Sequence, residues 1–222
     1  MASREEMMKK MREESRGLVD GGFSAIVVPR GVDVLKKMQK RMSLDFLPYT
    51  IKAKNNPNGK PGDLWWTRTY MVHKDIGPER KKVICLGTWG LPCPICQRYD
   101  KLRRNSDLSD EEAKALRKEL FPQKRALYNV IDVDNKDKGV QLLDMSVFTF
   151  GRTLADAIND DDTGAGLFWD LEEGQTAKCR LREEKLGSYS FWELVAVEFV
   201  DRKKYKEDIL EDAVDLDSCL PK

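Results

Sequence analysis

The stretch HKDIGPERKKVICLGTWGLPCPIC, residues 73–96, places four metal-capable side chains in 24 residues: His73, Cys85, Cys93 and Cys96. Their spacing is His-x11-Cys-x7-Cys-x2-Cys. Ligands of that type and number are what one tetrahedral zinc ion takes, with no position left for a catalytic water. The closing Cys93-Pro94-Ile95-Cys96 is a tight knuckle, and its proline pre-sets the turn. His73 is the sole histidine of the 222 residues. If it ligates metal, no imidazole remains for acid–base or nucleophilic chemistry. The pattern predicts a structural metal and a chain that is not an enzyme. Asp75 is the side chain nearest in sequence to orient the His73 ring.

Working outward, residues 73–105 are poor in large aliphatics, so metal replaces core as their staple. Around them lie mostly strand patterns: 23–28, 46–54, 64–73, 125–133, 140–150, 167–171, 176–184 and 189–200. A helix is predicted over 32–42 from the spacing of Val34, Leu35, Met38 and Met42. A second helix opens at Ser109, with Glu112 three residues on, and stops before Pro122. A third, short helix covers 152–158. The expected fold is mainly β with some α: an OB-fold barrel carrying an inserted zinc-binding subdomain. Residues 1–20 form a mobile arm, 21–205 the barrel core, and 206–222 an acidic terminal segment.

Five cysteines, three of them beside a histidine, suit metal in a reducing compartment better than a disulfide frame. Cys179 and Cys219 read as buried thiols. No apolar run is long enough to span a bilayer. The near-neutral total of 39 basic and 38 acidic residues hides an asymmetry. Residues 207–222 hold six acids, Glu207, Asp208, Glu211, Asp212, Asp215 and Asp217, and one lysine. Residues 1–206 then carry 38 basic against 32 acidic residues, a net +6. A basic body with an acidic end is a nucleic-acid pattern, and the acidic end is a candidate partner-docking segment.

Aromatic and basic residues interleave along Trp65-Trp66-Thr67-Arg68-Thr69-Tyr70. In one continuous strand Trp66, Arg68 and Tyr70 share a face suited to stacked bases with a phosphate clamp. A register slip of one residue would present Trp65 instead. Lys124 and Arg125, followed by Tyr128, repeat the logic. Arg98, Lys101, Arg103 and Arg104 follow the knuckle and supply a cationic rim. The competing reading of each is ordinary: core aromatics and solvated charges. The run Asp132-Val133-Asp134-Asn135-Lys136-Asp137 imitates the start of a calcium loop, but Lys136 takes a ligand position and Asp137 stands where glycine is needed. Asp132, Asp134 and Asp144 offer a second reading, a metal-dependent nuclease. A third is a zinc-stapled protein-interaction module.

On these residues the chain resembles the single-stranded DNA-binding, helix-destabilising proteins of T4-type bacteriophages. The likeness is carried by His73, Cys85 and Cys93-Pro94-Ile95-Cys96-Gln97, then by Lys124-Arg125 with Tyr128-Asn129-Val130-Ile131. Gly139-Val140, Phe148-Thr149-Phe150-Gly151-Arg152, Phe168-Trp169-Asp170 and Ser188-Tyr189 extend it in order. The resemblance spans about Phe46 to Tyr189, with spacings before the knuckle shorter than in the T4 type. It implies an OB-fold with a zinc wall beside a cationic, aromatic-lined cleft that also takes in Phe150. It implies sequence-tolerant binding of single-stranded DNA in replication, recombination and repair, in the cytoplasm of an infected bacterial host. It further implies replication and recombination proteins as partners of the acidic segment, and a basic N-terminal arm for cooperativity. Residues 1–16 depart from that arm by mixing four glutamates with the bases.

Overall fold

The structure is a computed structural model describing residues 25–104, 108–160, 162, 164–187 and 189–221; the expected arm at 1–20 lies outside them. In chain order the strands are β1 (Asp33–Val34), β2 (Arg41–Leu47), β3 (Tyr49–Thr50), β4 (Leu64–Trp65), β5 (Arg68–Ile76), β6 (Lys81–Ile84), β7 (Gln123–Asp132), β8 (Gln141–Ser146), β9 (Gln175–Leu186) and β10 (Tyr189–Asp201). The helices are α1 (Pro94–Arg103), α2 (Asp110–Leu120), α3 (Arg152–Asn159) and the single turn α4 (Ile209–Asp212). The fold is mainly β with some α. The main sheet runs β1-β8-β7-β2-β9-β10, and β1 and β10 do not pair, so among the described residues it is an open sheet. None of the described helices is long and apolar enough to cross a membrane.

β7 is the axis of the sheet. Its first half pairs with β5 and its second half with β2, while β8 runs along its other edge. Its side chains alternate between two cores, as a strand buried on both faces must. Ala126, Tyr128 and Val130 join Phe46, Leu143, Phe150, Leu154, Phe168 and Leu194 in the first. Leu127 joins Tyr49, Ile51, Tyr70, Val72, Trp89 and Leu142 in the second. The β5–β6 hairpin extends past the Gln123 end of β7 and carries the metal-capable stretch there.

The second core also contains Val214, Leu216, Cys219 and Leu220. The acidic end is therefore a strap built into the fold. Asn129, fully buried, clamps it by donating Nδ2–H to Val214 O and accepting from Val214 N, both at 3.0 Å. Asp217 accepts from the backbone N–H groups of Lys52 and Ala53 and from Asn56 Nδ2. Its Oδ1 lies 2.8 Å from Nε of Arg68, an ion pair whose side chains are 6% and 1% exposed. Cys179 and Cys219 are buried thiols, as expected.

Several sequence expectations change. Residues 32–42 do not form a helix; β1 and β2 occupy their ends. Leu35 N donates to Leu142 O, and Leu35 and Met42 enter the first core as strand-like residues. Long-range burial outweighs the local helical spacing there. The expected strand at 64–73 is two strands, broken at Trp66 and Thr67. The segment 167–171 is turn rather than strand, although Phe168 is buried. Residues 25–28, expected as strand, are bend and irregular chain. The strand expected at 46–54 is only the end of β2 and the two residues of β3, and the one expected at 140–150 stops at Ser146, where a helical turn over Val147–Gly151 begins. The capping box stands as read: Ser109 Oγ accepts from Glu112 N and Glu112 Oε2 accepts from Ser109 N.

Candidate metal centre and its cationic surround

His73, Cys85, Cys93 and Cys96 converge from four local structures. His73 lies on β5, Cys85 just after β6, Cys93 at the N-cap of α1, and Cys96 in its first turn. Pro94 opens the helix at a position where a missing N–H costs nothing. Cys85 is fixed by its backbone N–H to Met71 O at 2.8 Å. The turn after it ends at Gly90, whose φ of 71° suits glycine. Gly87 packs so closely that a Cβ there would lie 2.9 Å from the Met71 methyl group.

The four ligand atoms lie within 4.8 Å of one another. Cys85 Sγ is 3.5 Å from Cys96 Sγ, and His73 Nε2 is 3.3 Å from Cys93 Sγ and 3.6 Å from Cys96 Sγ. A tetrahedron with Zn–S of about 2.3 Å and Zn–N of about 2.0 Å has edges of roughly 3.5–3.8 Å. The group therefore fits one metal ion, and its dimensions are consistent with zinc. Among the described residues no other group of His, Cys, Asp and Glu gathers in this way.

The surroundings suit a metal. His73 is fully buried, and its Nδ1 is 2.9 Å from Leu120 O at the end of α2. A carbonyl only accepts, so Nδ1 carries the proton and Nε2 turns its lone pair to the three sulfurs. Leu120 O, not Asp75, thus orients the ring; Asp75 is exposed and pairs with Arg80. Burial pushes the Cys85 thiol up and that of Cys96 up to about 12. For Cys93 burial acts upward too, but backbone N–H donors at Cys96, Leu86 and Ile95, with the Cys85 side chain, bring the thiol below its usual value. Burial pushes the His73 imidazole down, keeping it neutral. Dry thiols at one point favour a cation that takes over from their protons.

The residues expected to meet DNA divide sharply. Arg98, Lys101, Arg103 and Arg104 are exposed on and just after α1, and Lys124 is exposed at the start of β7. None of these five forms an ion pair among the described residues. Burial, then Arg125 and Lys82, depress Lys74, so positive charge is crowded beside the metal group. By contrast Arg68, Tyr70, Tyr128 and Phe150 are buried. Arg68 faces Asp217, and Tyr70 donates its hydroxyl to Asp144 at 3.0 Å. Arg125 is bound to the same Asp144 at 2.9 Å. Trp66 is half-buried, stacked on Tyr128 at 5.6 Å and edge-on to Phe168 at 4.9 Å. Trp65 is half-buried against Trp169. The face expected to be open is thus the packed one, because the break at Trp66 and the terminal strap cover it.

The exposed ring that pattern reading missed is Phe148, 68% exposed, with the Arg152 guanidinium 4.7 Å from its centroid. It leaves the sheet just after β8, whose Ser146 opposes Arg125, and so stands at the metal end of β7. An aromatic followed four residues later by arginine was the available signal. In the acidic strap, Glu207, Asp208, Glu211 and Asp212 are exposed, while Asp215 pairs with Lys52 and Asp217 with Arg68. Asp132, Asp134 and Asp144 do not gather. Asp132 accepts from Asp134 N and Asn135 Nδ2, and Asp144 holds Arg125. No protein-family model matches the chain, and no curated protein matches it.

Proposed function

We propose that the protein binds single-stranded DNA with little sequence preference, on a surface stapled by one structural zinc ion. The supporting observation is the exposed set Arg98, Lys101, Arg103, Arg104 and Lys124 around the metal group, none of them ion-paired among the described residues, with the open Phe148 ring at the same end of the sheet. Lysines and arginines engage phosphates by releasing counterions, and a ring stacks on any base. On this reading the open sheet is a partly opened OB-type barrel. The resemblance to the T4-type helix-destabilising proteins supports the same assignment and suggests roles in replication, recombination and repair. The exposed acids Glu207, Asp208, Glu211 and Asp212 are then the part of the strap left for protein partners. The thiol ligands suit a reducing cytoplasm.

Titration of labelled oligo(dT), poly(rU) and duplex DNA at several salt concentrations tests this. Single strands should bind tighter than duplex, with a log–log salt slope of roughly −0.7 per phosphate engaged. Phe148→Ala should weaken binding by about 5- to 150-fold, the equivalent of one lost stack, without lowering the melting temperature. Absent or salt-insensitive binding to oligo(dT) refutes the proposal.

A further inference from the structure

β2 and β9 place two arginines directly opposite each other far from the metal. Arg41 is the register partner of Arg180, and both are exposed. Like charges facing across strands oppose pairing. The neighbour of Arg180 on its other side is Ala196 on β10, so no acid relieves the pair across either edge. Arg182, two residues on, shows the contrast, since Glu184 and Glu193 both engage it. Among the described residues neither Arg41 nor Arg180 has an ion-pair partner.

The two arginines line an open cleft of about 450 Å³, large enough for a nucleotide-sized group. Lys178 adds a third cation, offset by Glu198 opposite it on β10, and Asp134 stands on another wall. Neither acid makes an ion pair with the arginines. The cleft lies toward the Asp132 end of β7 and the metal group beyond the Gln123 end. The 10 residues of β7 separate them by about 30 Å at roughly 3.3 Å per residue.

We infer that the Arg41–Arg180 cleft is a second binding site, for the phosphodiester backbone of a nucleic-acid strand. Two planar guanidinium forks facing one opening suit phosphate oxygens. A bound phosphate cancels the repulsion that the free sheet retains. The inference rests on the nucleic-acid reading above but assigns a surface remote from the metal centre.

The test is Arg41→Gln with Arg180→Gln in the full chain, titrated with oligo(dT). Two phosphate contacts should reduce the salt slope by about 1.4. Extrapolated from 1 M salt, that corresponds to about 65-fold weaker binding at 50 mM and about tenfold at 200 mM. Relief of the like-charge pair should raise the melting temperature by about 1–3 °C, which also establishes that the variant folds. A variant with unchanged affinity and slope, beside a parent that binds oligo(dT), overturns this site alone. A parent that does not bind overturns the functional reading and this site with it. Should the double variant melt early, Arg180→Lys, which keeps the charge but loses the fork, is read instead. It should keep the slope but weaken binding severalfold, and equal affinity overturns the site.

Discussion

Asp217→Ala should unfold the protein far more readily than any surface change of similar size. The carboxylate is the only ion-pair partner of Arg68 among the described residues, and that guanidinium is 1% exposed. It also accepts from Lys52 N and Ala53 N at 3.0 Å and from Asn56 Nδ2 at 3.1 Å. Removing one member of a buried pair leaves an uncompensated charge and costs about 3–5 kcal/mol. For a chain of this size that is a fall in melting temperature of about 6–20 °C. Thermal melts followed by far-ultraviolet circular dichroism read it directly. Replacing both partners with apolar residues, Arg68→Met with Asp217→Leu, should recover part of the loss, because no charge is then stranded while the N–H donors of Lys52, Ala53 and Asn56 still lack their acceptor. The reasoning is refuted if Asp217→Ala melts within about 2 °C of the parent, or if the double variant is no better than the single one. Deletion of residues 207–222 goes further. It removes Val214, Leu216, Cys219 and Leu220, the three aliphatics alone worth about 1.5–3 kcal/mol each when buried. The combined loss is comparable to a typical total stability of about 5–15 kcal/mol, so the truncated chain should not fold.

The metal supplies further predictions. Cys93→Ser should lower the bound zinc from one equivalent and reduce the melting temperature; a parent protein with no metal by elemental analysis refutes the zinc assignment. Burial raises the Cys85 and Cys96 thiols, so both are protonated at neutral pH without a cation, and each must release a proton when metal binds. Affinity should therefore fall by at least about 100-fold for each unit of pH lowered from 7 to 6, measured by competition with a chelator; a flat profile refutes it. Trp66→Ala should cost about 2–4 kcal/mol, somewhat less than a fully buried aromatic, because the ring packs on Phe46, Tyr128 and Phe168. An unchanged urea midpoint would return Trp66 to the ligand-facing surface.

Short-range chemistry was legible in the sequence and long-range burial was not. The Cys-x2-Cys knuckle, the Ser109–Glu112 capping box and the stop before Pro122 each depend on residues a few positions apart, and each stands as read. Of the face read as Trp66, Arg68 and Tyr70, the last two do share a side of β5, but Trp66 lies in the break before that strand and packs on the first core while Tyr70 enters the second. What one strand cannot reveal is which of its faces will be covered. Arg68 is buried only because Asp217 returns from the far end of the chain, and Tyr70 because Arg125 and Asp144 close over it. A stretch rich in acids looked like a solvated tail, yet apolar residues alternate through it, and Val214 and Leu216 carry it into the core. Orientation of His73 by Leu120 O was unreadable for another reason: a backbone carbonyl has no signature in side-chain pattern.

The same contrast explains why the metal belongs where it does. α1 carries Arg98 and Lys101 three residues apart, and Arg104 caps its end three residues further on, a row of like charges that weakens an isolated helix. It buries only Tyr99, which packs against Phe121 at 5.3 Å. Neither propensity nor core holds such a helix firmly, and although Asp100 lies on it, none of its cations forms an ion pair among the described residues. Cys93 and Cys96 tie its first turn to β5 and to the turn after β6, and the His73–Leu120 contact ties β5 to α2. A surface that must keep its positive charge unpaired needs a source of rigidity other than salt bridges. On the proposed reading, one ion shared by the four ligands would supply it and leave the arginines and lysine of α1 free for phosphate.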